Sequence, residues 1–154
     1  AVFLEIAAAY RKYQAPMGRL VYVGNAPVGV EKSVQLAIDG MKAINAAIKP
    51  DAKAGDVYAA WQEVAKKGGL KDYERHHCGY LVSIGFPPSW TGGSKVTALA
   101  PNSELRLKPG MTFHTHSWFT NTDCADYFIS NTSLLTKDGC EVLTSETPET
   151  LILR

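Results

Sequence analysis

The sequence predicts an α+β domain in which two helices cover one face of a curved antiparallel sheet. Three observations carry this reading. Two stretches of β-branched and aromatic residues open the chain, two amphipathic helical patterns follow, and a run of short strands closes it. The 154 residues suffice for one compact domain with a sizeable core. A hydrophobic fraction of 45%, a charged fraction of 20% and a net charge of +1 are those of an ordinary globular chain. The charge balance gives no electrostatic case for nucleic acid or an anionic membrane.

Val2 to Ala9 is an apolar run interrupted by Glu5, and reads as a strand. GRLVYVG, residues 18–24, reads as its partner. Pro16 lies between them and lacks the N–H that a central ladder position needs, so residues 2–24 are expected to form a hairpin with a long connection. Val30, Val34, Ile38, Met41, Ile44 and Ile48 recur at intervals of three and four, which marks a helix that Pro50 stops. Gly40 is expected to weaken that helix by about 1 kcal/mol relative to Ala. Asp56 is the expected N-cap of a second helix with Val57, Ala60, Trp61 and Val64 on its apolar face. Lys66, Lys67 and Gly68-Gly69 supply its end.

GYLVSI at 79–84 reads as a strand. Residues 85–104, with Pro87, Pro88, Pro101 and Gly92-Gly93, read as a long loop of the kind that often carries function. Met111 to Trp118, Ala125 to Leu135, Cys140 to Leu143 and Leu151 to Leu153 read as further strands, with a turn at Lys137-Asp138-Gly139. No apolar stretch approaches the roughly 18 residues of a membrane-spanning helix. The opening residues lack the basic start of a secretory leader. Cys78, Cys124 and Cys140 form no Cys-x-x-Cys pair, which favours a reducing, cytoplasmic location.

All four histidines fall in two clusters, Arg75-His76-His77-Cys78 and His114-Thr115-His116. On a strand His114 and His116 share a face. If the strands at 79–84 and 111–118 are neighbours, the imidazoles converge. His-x-His alone is a weak metal signal, and Cys78 reads as a small buried apolar residue. Met41 and Trp61 lie on helix core faces, whereas Trp90 and Trp118 are placed to wall a pocket. Glu5 interrupts a strand that is otherwise apolar. It is either a paired or functional carboxylate or one that faces solvent on a half-exposed strand.

Several segments together resemble the creatinase/prolidase/methionine-aminopeptidase superfamily, whose fold is called pita-bread. Lys108-Pro109-Gly110-Met111-Thr112-Phe113 is similar to its L-x-P-G-M-x-F signature, and Leu135 to Thr144 to its C-terminal strand-turn-strand. His76-His77-Cys78-Gly79 is similar to the segment that carries its histidine. Glu5, Lys12-Tyr13, Pro16 and Arg19, together with Ile84-Gly85-Phe86-Pro87-Pro88-Ser89-Trp90, resemble the ectoine-hydrolase-like, creatinase-like branch. The resemblance identifies residues 1–154 as the C-terminal portion of such a catalytic domain. It also implies an exposed sheet edge at Val2–Gly24 and a homodimer, or association with the missing half of the domain.

Metal-dependent members of the superfamily use two aspartates, a histidine and two glutamates. Carried over, these positions fall on Glu5, Pro16, His76, His116 and, on or beside it, Ser130. Pro16 and Ser130 cannot supply bridging carboxylates, so a dinuclear site is not expected. A single divalent ion on His76, His116 and Glu5 is the alternative. The resemblance implies a hydrolase that cleaves C–N bonds in small amidine or cyclic amidine substrates without a cofactor. Glu5, His76 and His116 are the expected catalytic residues. Arg19, Tyr80, Phe86, Trp90 and His114 are expected to bind the substrate. An Xaa-Pro dipeptidase-like enzyme with altered ligands and a non-catalytic module that binds a small molecule or short peptide are the other readings.

Overall fold

In the computed structural model, which describes residues 1–91, 96–122 and 125–153, the first hairpin turns on two residues, not on a long connection. Strand β1 (Val2–Tyr10) pairs antiparallel with β2 (Tyr13–Tyr22), and Arg11 and Lys12 between them both have positive φ, 49° and 72°. Two left-handed residues give a turn whose twist matches that of the strands. Pro16 therefore sits inside β2, opposite Ala7. Counting pairs from the turn, Ala7 and Pro16 form a non-hydrogen-bonded pair, where β1 requires no N–H of the proline.

Two helices follow, α1 (Val30–Ala47) and α2 (Ala54–Lys67). The expected stripe of α1 is buried at Val30, Val34, Met41 and Ile44, and Ser33, Ala37 and Gly40 widen it. Ile38 is only half-buried. Helix α2 begins two residues before the expected N-cap. Lys53 takes the cap position and Asp56 lies in the first turn, where its charge favours the positive helix end. Tyr58, Gln62 and Ala65 join Val57 and Trp61 on its buried side, while Ala60 and Val64 are half-buried.

The remaining strands are β3 (Gly79–Leu81), β4 (Thr112–Phe119), β5 (Tyr127–Thr136), β6 (Gly139–Val142) and β7 (Ile152–Leu153). The sheet runs β1-β2-β5-β4-β3, with β6 beside β5 and β7 parallel to β2. β3 is half the expected length. From Val82 the chain leaves for the long loop, which folds back so that Ser83 N–H donates to Trp90 O and Gly85 N–H to Lys12 O. Gly92, Gly93 and Cys124 lie outside the described residues. β1 is the expected open edge, and Val2, Phe3, Leu4 and Ile6 on it are exposed. Among the described residues no helix is long and apolar enough to cross a membrane.

The helices are seated on the sheet through Trp61. Its ring stacks on Phe119 at 5.3 Å, and its Nε1–H donates to Ser117 Oγ at 3.2 Å. Gly40 of α1 makes this approach possible. A Cβ there would lie 2.4 Å from Ser117 Oγ and 3.0 Å from the Trp61 ring. Gly40 is thus a packing requirement, not only a weak point. Gly40→Ala, which would strengthen an exposed helix, is expected to destabilise this protein by about 1–3 kcal/mol through overpacking. An unchanged or raised melting temperature would show that Ser117 and Trp61 can give way.

Candidate functional site

Register assembles the site. Glu5 pairs with Gly18, Gly18 with Ser130, and Ser130 with His116. Directly paired residues project from the same face of a sheet, so these four positions form one row across β1, β2, β5 and β4. The helices lie on the other face, where Ser117 meets Trp61 and Ser133 Oγ lies 3.5 Å from Asn45 Oδ1. Gly18 leaves a gap in the row that Phe128 fills: a Cβ there would lie 2.3 Å from the Phe128 ring. Phe128 packs on Phe3 at 4.3 Å and on Trp118 at 5.1 Å, giving the row an aromatic flank.

β3 pairs with β4, and the histidines converge as the sequence led one to expect. Their parts differ from the expectation. His76 is exposed and meets the edge of the His77 ring at 4.1 Å. His77 turns inward, and its Nδ1 lies 3.0 Å from His116 Nε2. The residue of β3 that reaches the site face is Tyr80, opposite His114. His114 Nδ1 lies 2.7 Å from the Tyr80 hydroxyl, and its Nε2 lies 2.8 Å from Ser130 Oγ and 3.6 Å from Glu5 Oε1. Trp90 Nε1–H donates to the Tyr80 oxygen at 3.0 Å. The sequence pattern assigns His77 no role of its own. Its signal was the parity of the segment, which could not be read until the start of β3 was known.

Burial keeps this cluster neutral. Desolvation, with His76 and Arg75 nearby, pushes His77 down to about 4. Desolvation and the neighbouring His77 push His114 down to about 3. Burial and the other imidazoles hold His116 well below the ordinary range. Glu5, whose side chain is 31% exposed, is raised by partial burial. Buried groups shift toward their uncharged forms, which for imidazole is a base able to accept a proton.

Two expected substrate contacts are elsewhere. Arg19 is buried on the helix side of β2, and all five of its N–H donors are used: by Pro148 O, Gly18 O, Ser130 O, Asn131 Oδ1 and Thr147 O. No donor is left for a substrate. Phe86 is 72% exposed, with the Lys12 ammonium 5.0 Å from its ring centre. The cleft beside the row, about 290 Å³, is instead lined by Glu5, Ile6, Ala7, Gln14, Pro87, Pro88 and Trp90. Glu5 and Trp90 thus share one opening.

The donors present do not fit the dinuclear centre of the metal-dependent relatives. Pro16 and Ser130 bring no carboxylate, and Glu5 is the one acid in the row. For the single-ion alternative, His76 is exposed and its ring meets His77, while His77 and not His76 meets His116. Among the described residues no group of three or more His, Cys, Asp or Glu is arranged to hold a metal ion.

The neutral imidazoles make stability depend on acid. Unfolded, they take up protons near the ordinary value of 6.5. Folded, His77 and His114 wait until about 4 and about 3. The unfolded chain binds more protons in that window, so stability is full above pH 6.5 and drains as pH falls through it. Glu5, raised on folding, acts with the opposite sign: its contribution is complete below its ordinary 4.5 and fades as pH rises. Melting temperatures recorded from pH 7.5 down to about pH 4 are expected to fall, and less so in His114→Gln. Parallel curves for the two proteins would remove His114 from this account.

Comparison with known proteins agrees with the architecture. Metallopeptidase family M24 matches residues 1–137. The ectoine hydrolase of Halomonas elongata is 34% identical over 141 residues, 92% of this chain and 34% of its own. An uncharacterized hydrolase/peptidase of Sinorhizobium fredii is 26% identical over 153 residues, 98% of this chain and 37% of its own. The chain therefore spans about a third of the length of the curated relatives it matches. The X-Pro aminopeptidase of Thermotoga maritima superposes with a TM-score of 0.83 at 16% identity, over 99% of this chain and 41% of its own, which shows a shared pita-bread fold. With the family matched over most of its length, this chain belongs to metallopeptidase family M24.

Proposed function

We propose that this chain supplies the acid/base side of a metal-independent hydrolase that cleaves C–N bonds in small amidine or cyclic amidine substrates. The observation that carries the reading is the row itself. Where a dinuclear centre needs several carboxylates, the row and its neighbours offer one carboxylate, a serine and neutral imidazoles. The similarity to ectoine hydrolase supports the same substrate class.

The chemistry follows from the charges. A protonated amidine is a planar cation, and Glu5, opening on the cleft beside Trp90, is placed to pair with it. That pairing would lower the raised pKa of Glu5 and hold it ionised. His116 and His77 share one proton across 3.0 Å, so a proton received by one imidazole can pass to the other. The pair takes a proton from water as the oxygen bonds to the amidine carbon. As the C–N bond breaks, that proton goes to the departing nitrogen, and the adduct hydroxyl gives its own proton to the released amine, so that the cation and water become an amide and an ammonium group.

The test is hydrolysis of a cyclic amidine by the purified protein, followed by NMR, with and without a strong chelator. Turnover is expected to survive the chelator. Glu5→Gln and His116→Gln are expected to lower kcat/KM by about 100-fold or more, the usual scale for loss of an acid/base group. His76→Gln is expected to change it little. Activity that vanishes with the chelator and returns with a divalent ion, on an Xaa-Pro dipeptide and not on the amidine, would overturn the proposal in favour of an altered metallopeptidase.

A further inference from the structure

Tyr80 was expected to wall the substrate pocket, but its hydroxyl is already engaged on both sides. Trp90 Nε1–H donates to it at 3.0 Å, and His114 Nδ1 lies 2.7 Å from it. An indole N–H can only donate, so the phenol oxygen is the acceptor there. With that acceptor position filled, the phenol proton has a partner in His114 Nδ1. The other ring nitrogen of His114 faces Ser130 Oγ at 2.8 Å and Glu5 Oε1 at 3.6 Å. An ionised carboxylate can only accept, which favours a proton on Nε2. Both ends of the ring therefore favour the same tautomer, in which Ser130 Oγ accepts the Nε2 proton at 2.8 Å.

We infer that Tyr80, held by Trp90, is a positioning residue that fixes His114 as the Nε2–H tautomer and aims that N–H at Ser130 and Glu5. The inference rests on the proposed hydrolase reading for its consequence, but not for its geometry. Tyr80 acts through His114 and not on the substrate. Its oxygen is spent within the chain Trp90–Tyr80–His114–Glu5, and its ring stands edge-on to His77 and His114 at 5.4 and 5.2 Å. The groups facing His114 are Tyr80 from β3, His77 just before it, Trp90 from the loop, Ser130 from β5, Glu5 from β1 and His116 on its own strand.

The chain also links the cleft to the row. Trp90 lines the opening that Glu5 shares, and its loop is tied to β2 by Gln14 Nε2–H donating to Gly85 O at 3.1 Å and Ser89 O at 3.3 Å. A substrate that moves the Trp90 indole would loosen the phenol, and with it the tautomer of His114. A ligand seated without disturbing Trp90 leaves Glu5 facing an ordered N–H donor. Glu5 then meets a cationic substrate in one orientation.

The experiment is ¹⁵N NMR of the histidine ring nitrogens at pH 7.5 in the wild-type protein, Tyr80→Phe and Trp90→Phe. Both variants keep an aromatic ring and remove one polar atom. Wild-type His114 is expected to show Nε2 protonated and Nδ1 unprotonated. In Tyr80→Phe the two nitrogens are expected to move toward the averaged shifts of a tautomer mixture, and in Trp90→Phe to move partway. In the amidine assay, kcat of Tyr80→Phe is expected to fall by about tenfold or more with KM changed less than about twofold, as misorientation of a catalytic group predicts. A wild-type His114 protonated on Nδ1, or an unshifted His114 in Tyr80→Phe, would overturn the inference. Absence of amidine turnover in the wild type would overturn the hydrolase reading and leave the NMR result standing.

Discussion

The short contact between β2 and β5 is the constraint on which the site depends. The two strands pair through Gly18 with Ser130 and Arg19 with Ile129. Everything on β1 reaches the histidine strand through this join. A slip of one residue would send Glu5 to the helix face and replace it with an apolar neighbour. Arg19 prevents the slip from behind. One terminal nitrogen of its guanidinium donates both to Gly18 O and to Ser130 O, at 2.7 and 2.6 Å, bridging the strands at the level of the site row. The remaining donors collect Pro148 O, Thr147 O and Asn131 Oδ1, tying the segment before β7 to the same point. Fully desolvated and fully bonded, this cation shapes the site without entering it.

That arrangement explains what was legible in the sequence. The helices were visible because periodicity is local, and the order of strands because alternation is local. The hairpin was misread because Arg11-Lys12 carries neither Gly nor Asn, so nothing local announces two left-handed residues. The site was legible as a set and not as an arrangement. His114 and His116 follow from strand parity, since residues two apart share a face, and Glu5 from its interruption of an apolar strand. His76, His77 and Tyr80 did not, because parity begins only where β3 begins, and Gly79 starts it. The true role of Arg19 depended on carbonyls at 147 and 148, far along the chain, which no local pattern could assign to it.

The physical character of the row departs from that of a dinuclear metal site. Such a centre gathers carboxylates and balances them with cations. Here three imidazoles stand with ring centres 5.0 and 6.0 Å apart along the path His77–His116–His114. Protonating all three would place like charges side by side in a buried space, so the fold tolerates them only as neutral rings. Neutral rings can pair with one another and with uncharged groups, and here His77 pairs with His116 while His114 meets a phenol and a serine.

A neutral cluster with a single carboxylate has a consequence for what it can bind. Glu5 is partly buried, raised above its ordinary pKa, and has the neutral His114 imidazole 3.6 Å away, with no lysine or arginine paired to it among the described residues. A neutral or anionic guest would leave that charge uncompensated in a partly dry cleft, or force it to protonate. A planar cation would compensate it, with Trp90 lining the same opening. The electrostatic balance of the row therefore supports the cationic substrate proposed above. It would hold whether the bound cation is hydrolysed or only retained.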